Sequence, residues 1–282
     1  MAGPLHPWIA GPLKVLAWGF GAYAALCLAA FLLQRRMMYF PDRSTEPEAV
    51  RQGARLGLAP WRDGAGRLLG WRRPGPGGSR PRVMVIHGNA GDALGRVDYL
   101  PVLEAAGFEG VLLEYPGYGP RPGGPSERAL VADGRAALRQ LKAERPGPVL
   151  LLGESLGSGV AVQVAARESG AVAGLLLVTP FAKLTEVVAH HYPFLPMRLL
   201  LRDRWDSLGA IGGYGGPVAV LVAGRDEVVG AGQGRRLAAA VPGPVQVREV
   251  PWADHNGLPL GPGQAPWPEL LDFLRAHGGM GQ

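Results

Sequence analysis

The sequence predicts an α/β domain, a mostly parallel sheet covered by helices on both faces, preceded by one membrane-spanning helix. Three observations carry this expectation. Short Val/Leu runs (Val83–Ile86, Val111–Leu113, Val149–Leu152, Leu175–Val178, Val218–Val222) alternate with segments of helical pattern, as buried parallel strands require. The run at Val149–Leu152 feeds Gly153-Glu154-Ser155-Leu156-Gly157 and then a small-residue segment, Val160–Ala166, a tight strand-to-helix turn with a serine at its tip. Finally, Val15–Leu33 is nineteen residues without a charge, roughly 28 Å of helix at 1.5 Å per residue and enough to cross a bilayer core.

In chain order, residues 1–34 form the N-terminal segment, with the spanning helix at about 15–33. Lys14 precedes the apolar run and Gln34-Arg35-Arg36 closes it, while Trp18, Tyr23 and Tyr39 suit membrane–water interfaces. No small-x-small cleavage site follows, so an uncleaved anchor is expected in place of a signal peptide. Arg35, Arg36 and Arg43 outnumber Lys14 plus the amino terminus, which places the following domain on the cytoplasmic side of a bacterial cytoplasmic membrane.

Residues 35–80 connect the anchor to the core and hold the first strands, among them Leu68–Trp71; Pro74–Pro81 is a turn-rich loop. Residues 81–282 form the core. Helices are expected over Leu94–Ala106, from Ser126 as N-cap to Lys142, over Leu156–Glu168 and over Trp267–Ala276, and Val245–Val250 is the last strand. Residues 181–216 exceed one crossover helix and are expected to cap the strand ends, where ligands bind in such sheets; an elaborated crossover helix pair is the alternative.

Composition excludes several classes. The single cysteine, Cys27, permits no intramolecular disulfide and no cysteine-based zinc site. Preceded by Leu26, it reads as filler in the membrane helix and not as a lipoprotein cleavage site. The net charge is +6, but the arginines are scattered without an aromatic stacking platform, so no nucleic-acid partner is expected; a basic surface favours an anionic membrane. Adjacent His190 and His191 point about 100° apart on a helix and are poor co-ligands, and the Gly153–Gly159 stretch lacks the Lys-Ser/Thr of a phosphate loop. No metal and no cofactor are expected.

With 44 glycines in 282 residues, a chance Gly-x-Ser-x-Gly is not rare, so partner residues must decide the chemistry. A serine nucleophile needs a base, and the base needs an orienting acid. His255 lies in a loop after the last strand and can reach back over Ser155. His87 suits an oxyanion loop, His190 and His191 fall in the cap, and His6 and His277 lie at the ends. Asp226, just past the Val218–Val222 strand, is the expected acid, with Glu227 and Asp254 as rivals. The backbone N–H groups of Leu156, at a helix start, and of Asn89 are the expected oxyanion donors. Glu154 and Glu114 read as structural.

Taken together, Met38-Tyr39-Phe40-Pro41, His87-Gly88-Asn89-Ala90-Gly91, Tyr115-Pro116-Gly117-Tyr118-Gly119, Gly153-Glu154-Ser155-Leu156-Gly157, Arg204-Trp205-Asp206-Ser207-Leu208, Gly224-Arg225-Asp226-Glu227-Val228-Val229 and Asp254-His255-Asn256 resemble the α/β-hydrolase superfamily, and within it the Bem46-like membrane-anchored serine hydrolases, over about residues 36–277. Asp254 stands where that group usually has glycine. The resemblance implies an α/β-hydrolase fold with a short helical cap and hydrolysis of ester, thioester or amide bonds in acylated small molecules, lipids or acyl-proteins. A membrane-anchored carboxylic-ester hydrolase is the first expectation. A serine aminopeptidase on the same fold would need an acid such as Glu186, Asp203 or Asp206 to hold a substrate amine. A non-catalytic binding protein is the third.

Overall fold

The chain forms a sheet whose carboxyl edge gathers the loops named above. The computed structural model describes residues 7–75 and 78–280, with side chains 7–10 and 12 left aside; His6 and part of the Pro74–Pro81 loop lie outside the described residues. The elements are α1 (Pro7–Met38), β1 (Phe40–Pro41), α2 (Glu46–Arg55), β2 (Ala59–Arg62), β3 (Leu68–Arg72), β4 (Arg82–Ile86), β5 (Ala90–Gly91), α3 (Tyr99–Ala105), β6 (Glu109–Leu113), α4 (Glu127–Glu144), β7 (Val149–Glu154), α5 (Leu156–Arg167), β8 (Gly174–Val178), α6 (Leu184–His191), α7 (Met197–Leu200), α8 (Ser207–Ile211), β9 (Val218–Ala223), α9 (Ala231–Ala238), β10 (Val245–Val250) and α10 (Trp267–His277).

Among the described residues the main sheet runs β10-β9-β8-β7-β4-β6-β3-β2. The strands from β10 through β6 pair in parallel; β3 joins β6, and β2 joins β3, antiparallel. The central strands β4, β7, β8 and β9 are buried along nearly their whole length, which is why they read as continuous apolar runs. On one face Leu138, Val160, Ile211 and Leu237 bring α4, α5, α8 and α9 onto the sheet. On the other, Ala49, Leu100 and Leu270 bring α2, α3 and α10. β10 is an edge strand with exposed Val245 and Val247. The chain enters the parallel part at β4, lays β6 on one side of it and β7 on the other, so the order reverses at β4, where a crevice opens beyond the carboxyl ends.

Local signals set the helix starts. Ser126 caps α4 by accepting from the Ala129 N–H at 3.2 Å, an interaction that stabilises a helix by about 1 kcal/mol. The helix expected over Leu94–Ala106 is instead a 3-10 turn, Leu94–Arg96, followed by α3; Asp92 accepts from Gly95 N–H at 2.9 Å and fixes that turn.

α1 is a 32-residue helix, about 48 Å long. The most apolar window of its stretch Leu13–Met38 has a mean hydropathy of 2.0 and none of that window is buried in the protein, so by length and composition it can cross a membrane. Its C-terminal end is nonetheless part of the domain. Gln34 is buried; it donates to the Leu200 carbonyl at 3.1 Å and accepts from Arg202 N–H at 2.7 Å. Arg35 grips Asp203 through two nitrogens at 2.8 and 2.9 Å. Tyr39, expected at the membrane interface, is 3% exposed and donates to Asp203 at 3.0 Å. The carboxylate in the domain draws the phenol inward, and burial followed by the Asp203 charge raises its pKa.

Within residues 181–216, α8 packs on α5 as a layer helix, while α6 and α7 pack on each other and α7 meets α1. The part that can roof the site is therefore residues 184–200.

Candidate active site

Ser155 stands at the junction of β7 and α5 with φ 49° and ψ −115°, a conformation sparsely populated for a residue with a side chain. The chain crosses β4 so closely that a Cβ on Gly157 would lie 2.0 Å from the Ile86 carbonyl oxygen, and one on Gly153 would lie 2.5 Å from the Gly157 oxygen. Both positions therefore require glycine. The turn is held from inside: Ser155 N–H donates to Val178 O at 2.9 Å, and Ser158 donates to Ser155 O through both its amide, at 2.9 Å, and its hydroxyl, at 2.6 Å.

The acid loop after β9 and the base loop after β10 lie backbone against backbone. A Cβ on Gly224 would meet Pro251 Cα at 2.6 Å, and Arg225 N–H donates to Ala253 O at 2.9 Å. This contact carries His255 over the elbow. Its Nε2 is 2.9 Å from Ser155 Oγ, and its Nδ1 is 2.7 Å from Asp226 Oδ2. The other oxygen of Asp226, Oδ1, accepts from the N–H groups of Val228 at 3.0 Å and Val229 at 2.8 Å. Burial alone would raise the Asp226 pKa; the hydrogen bond from His255, the Val229 amide, the His255 charge and the Gly230 amide outweigh it and hold the carboxyl below its ordinary value. Asp226 is thus a carboxylate fixed on both oxygens, and it dictates which imidazole nitrogen carries the proton. In this line the Nε2 lone pair faces the serine hydroxyl, the geometry in which a base can take the proton as Oγ attacks a carbonyl carbon.

The rivals for the acid sit elsewhere. Glu227 is exposed. Asp254 is exposed and accepts from Asn256 N–H at 3.0 Å; it closes a local turn where glycine would otherwise give freedom, without touching the imidazole.

The two expected oxyanion donors flank the serine. Leu156 is the first residue of α5, at the positive end of its dipole. Asn89 follows Gly88, where an added Cβ would lie 3.6 Å from Ser155 Cβ. Among the described residues neither amide donates to a protein acceptor. The loop bearing Asn89 is fixed by its other groups. Its carbonyl accepts from Phe40 N–H at 2.9 Å and from Tyr118 Oη–H at 2.7 Å, and its side-chain amide donates to Met38 O at 2.9 Å. Tyr115 donates to His87 O at 2.8 Å, and buried His87 lies between Gly88 O and Glu114, stacked 4.1 Å from the Tyr115 ring. Glu154 is engaged by Arg96 at 2.8 Å and Tyr99 at 3.1 Å. The sequence singled out Tyr115 and Tyr118 without giving them a role; their spacing around Pro116-Gly117 is the signal that they clamp the neighbouring loop. Among the described residues no three His, Cys, Asp or Glu side chains converge as a metal site.

The cap acids that could hold a substrate amine all have partners: Glu186 pairs with Arg236 at 2.5 Å, Asp203 with Arg35, and Asp206 with Lys183 at 3.4 Å.

Comparison with known proteins places this architecture. A family profile described as serine aminopeptidase, S33, within the Hydrolase_4 group, matches residues 77–210. The uncharacterized protein Rv2307c of Mycobacterium tuberculosis is 39% identical over 255 residues, covering 88% of this chain and 90% of that protein. The lysophosphatidylserine lipase ABHD12 of Gallus gallus is 34% identical over 140 residues, 48% of this chain and 36% of the lipase. Among solved structures, the Pyrococcus furiosus esterase Pf2001 superposes with a TM-score of 0.62 at 17% identity, covering 86% of this chain and all of that one; the α/β hydrolase GrgF of Penicillium superposes at 0.61 with 15% identity, covering 79% and 98%.

Ser155→Ala should lower acyl hydrolysis by about 10⁴- to 10⁶-fold with unchanged thermal unfolding; near-wild-type turnover by the folded variant would remove Ser155 from the chemistry. Asp226→Asn should cost roughly 10⁴-fold, far more than Glu227→Gln or Asp254→Asn, measured as kcat on one ester.

A second expectation follows from the sign of the Asp226 shift. A carboxyl with a lowered folded-state pKa stabilises the native state above its unfolded value of about 3.9, and that contribution is lost as pH falls through the lower folded value. Thermal unfolding followed downward from about pH 5 should show a steeper acid loss in the wild type than in Asp226→Asn; parallel curves would contradict it.

Proposed function

Because the chain belongs to the α/β-hydrolase superfamily, we propose that it is a membrane-anchored serine hydrolase that cleaves acyl ester or thioester bonds through an acyl-enzyme. The observation that carries the reading is the unbroken line from Asp226 Oδ2 through both nitrogens of His255 to Ser155 Oγ. Ser155 Oγ attacks the acyl carbonyl carbon as His255 Nε2 takes its proton. The carbonyl oxygen becomes an oxyanion between the Leu156 and Asn89 amides, and Asp226 stabilises the imidazolium. His255 returns the proton to the leaving alcohol or thiol as the tetrahedral species collapses. Water then attacks the acyl-serine by the same sequence and releases the acid.

The anchor reading rests on the length and apolarity of α1, and Arg35, Arg36 and Arg43 against Lys14 favour a cytoplasmic side for the domain. A lysophosphatidylserine lipase among the relatives supports lipid esters as a substrate class. The family profile's description favours a peptidase, but Glu186, Asp203 and Asp206 are each already paired with an Arg or Lys, so none stands open as a dedicated partner for an α-ammonium. Ester and thioester chemistry is therefore the reading the site supports best.

Purified protein assayed on a panel of acyl esters, acyl thioesters and aminoacyl amides should turn over the first two at least 100-fold faster in kcat/KM, about 2.7 kcal/mol of transition-state preference. A preference for aminoacyl amides would replace this reading with the peptidase. The full-length chain should remain with membranes after alkaline extraction, and recovery of intact chain in the soluble fraction would remove the anchor.

A further inference from the structure

A cavity of about 190 Å³ lies between the C-terminal end of α1 and the helices α6 and α7. Ala30 and Met38 of α1 form one wall; Leu184 and Val188 of α6 and Leu201 after α7 form the other; Asn89 closes the inner end. Two of the polar side chains at its edge, Gln34 and Asn89, are already engaged. Gln34 bonds the Phe31 and Leu200 carbonyls and the Arg202 amide, and the Asn89 side chain bonds Met38 O. An occupant therefore meets hydrocarbon, and nothing in the lining calls for a charged or strongly polar ligand.

Through Asn89 the cavity adjoins the loop that packs against Ser155. Asn89 supplies the expected oxyanion amide, and the preceding Gly88 sits against Ser155 Cβ. A carbonyl held between Ser155 Oγ and that amide has this cavity as its neighbouring apolar space. The other end is set by α1. Ala30 is eight residues before Met38, about 12 Å along the helix. Higher still, Tyr23 donates to Phe194 O at 3.0 Å, so the turn between α6 and α7 reaches about 22 Å up α1 from Met38. That height lies beside the uncharged Val15–Leu33 stretch. Two apolar side chains stand out from this tip, Phe194 at 61% and Leu199 at 83% exposed, with Arg198 exposed beside them. If α1 spans the membrane as its length and composition allow, this tip stands in the leaflet and the cavity flanks the helix at hydrocarbon depth.

We propose that this cavity is the acyl-chain subsite, that the membrane helix is one of its two walls, and that it fills sideways from the leaflet, so that the substrate is an acyl ester of a membrane-resident amphiphile. The proposal rests on the serine-hydrolase reading above. It makes α1 more than a tether, because Ala30 and Met38 belong to the helix and also shape the pocket.

The test uses full-length protein and p-nitrophenyl acetate and decanoate, with Ser155 labelling by a short dialkyl fluorophosphate in the wild type. Ala30→Trp and Val188→Trp fill the cavity from its two walls. Each should lower the decanoate-to-acetate ratio of kcat/KM at least tenfold. An unchanged ratio in both, with the wild type hydrolysing both esters, overturns the subsite and leaves the hydrolase reading intact. A fall in Val188→Trp alone overturns the shared wall. If the wild type neither labels at Ser155 nor hydrolyses either ester, the hydrolase reading falls and takes the proposal with it. Should Val188→Trp fail to fold by thermal unfolding, Ala30→Trp carries the test, since Ala30 lies outside the sheet and its packed helices. For the lateral route, Leu199→Asp puts a charge on the tip and outside the cavity. It should lower the rate on a long-chain monoacylglycerol in phosphatidylcholine vesicles at least fivefold relative to the same lipid in detergent micelles. Equal effects in the two settings overturn loading from the leaflet.

Discussion

The backbone crossing at Gly157 is the constraint on which the rest of the site depends. Where β7 turns into α5, the chain passes the end of β4 with no room for a Cβ, and this approach forces Ser155 into a positive φ. The cost, of order 1–3 kcal/mol for such a residue, is carried by the buried apolar strands on either side and by the three bonds that fix the turn. In return the hydroxyl leaves the sheet edge pointing outward, and the first amide of α5 points into the same space. The base and the acid then only have to be delivered to a fixed point. Both arrive on loops after parallel neighbours, β9 and β10, whose register keeps Gly224 against Pro251.

The loop of Asn89, the proposed second oxyanion donor, is organised from a different direction. Asn89 is tied to Met38, Phe40 and Tyr118, so the end of α1, the short β1–β5 pair and the Tyr115–Gly119 turn all converge on it. The Arg35–Asp203–Tyr39 cluster and Trp205, which donates to Tyr39 at 3.3 Å, join the same helix end to the cap. Arg35 is part exposed, so its pair with Asp203 gains less than a buried one; breaking it leaves Asp203 buried and without its cation, the costlier side of the exchange. Direct hydrogen bonds thus join α1 to both the Asn89 loop and residues 184–200.

Much of this was legible in the sequence because parallel strands buried on both faces write themselves as Val/Leu runs, and an elbow that tolerates only glycine writes itself as Gly-x-Ser-x-Gly. Ser155 and Asp226 could be named because each follows such a run, and His255 because it follows the last strand; the structure puts His255 within hydrogen-bond distance of both the others. What stayed hidden was long-range. Tyr39 follows an apolar helix and so reads as an interfacial aromatic, while its partner Asp203 lies 164 residues away. The partners of Glu186 and Asp206 were equally invisible, and Gln34, placed at the edge of the anchor by its lack of charge, is a buried member of the domain. Local periodicity reports which face of an element is apolar; it carries no information about which distant carboxylate a phenol or guanidinium will meet.

The central claim is that one serine, two backbone amides and one imidazole act at a single point. It is tested most directly by a crystal structure of the protein after reaction with a fluorophosphonate. The account requires phosphorus bonded to Ser155 Oγ, with its phosphoryl oxygen about 2.7–3.1 Å from the N–H nitrogens of Leu156 and Asn89 and His255 Nε2 facing the remaining ligand. An adduct on another residue, or a phosphoryl oxygen turned away from those two amides, would contradict it.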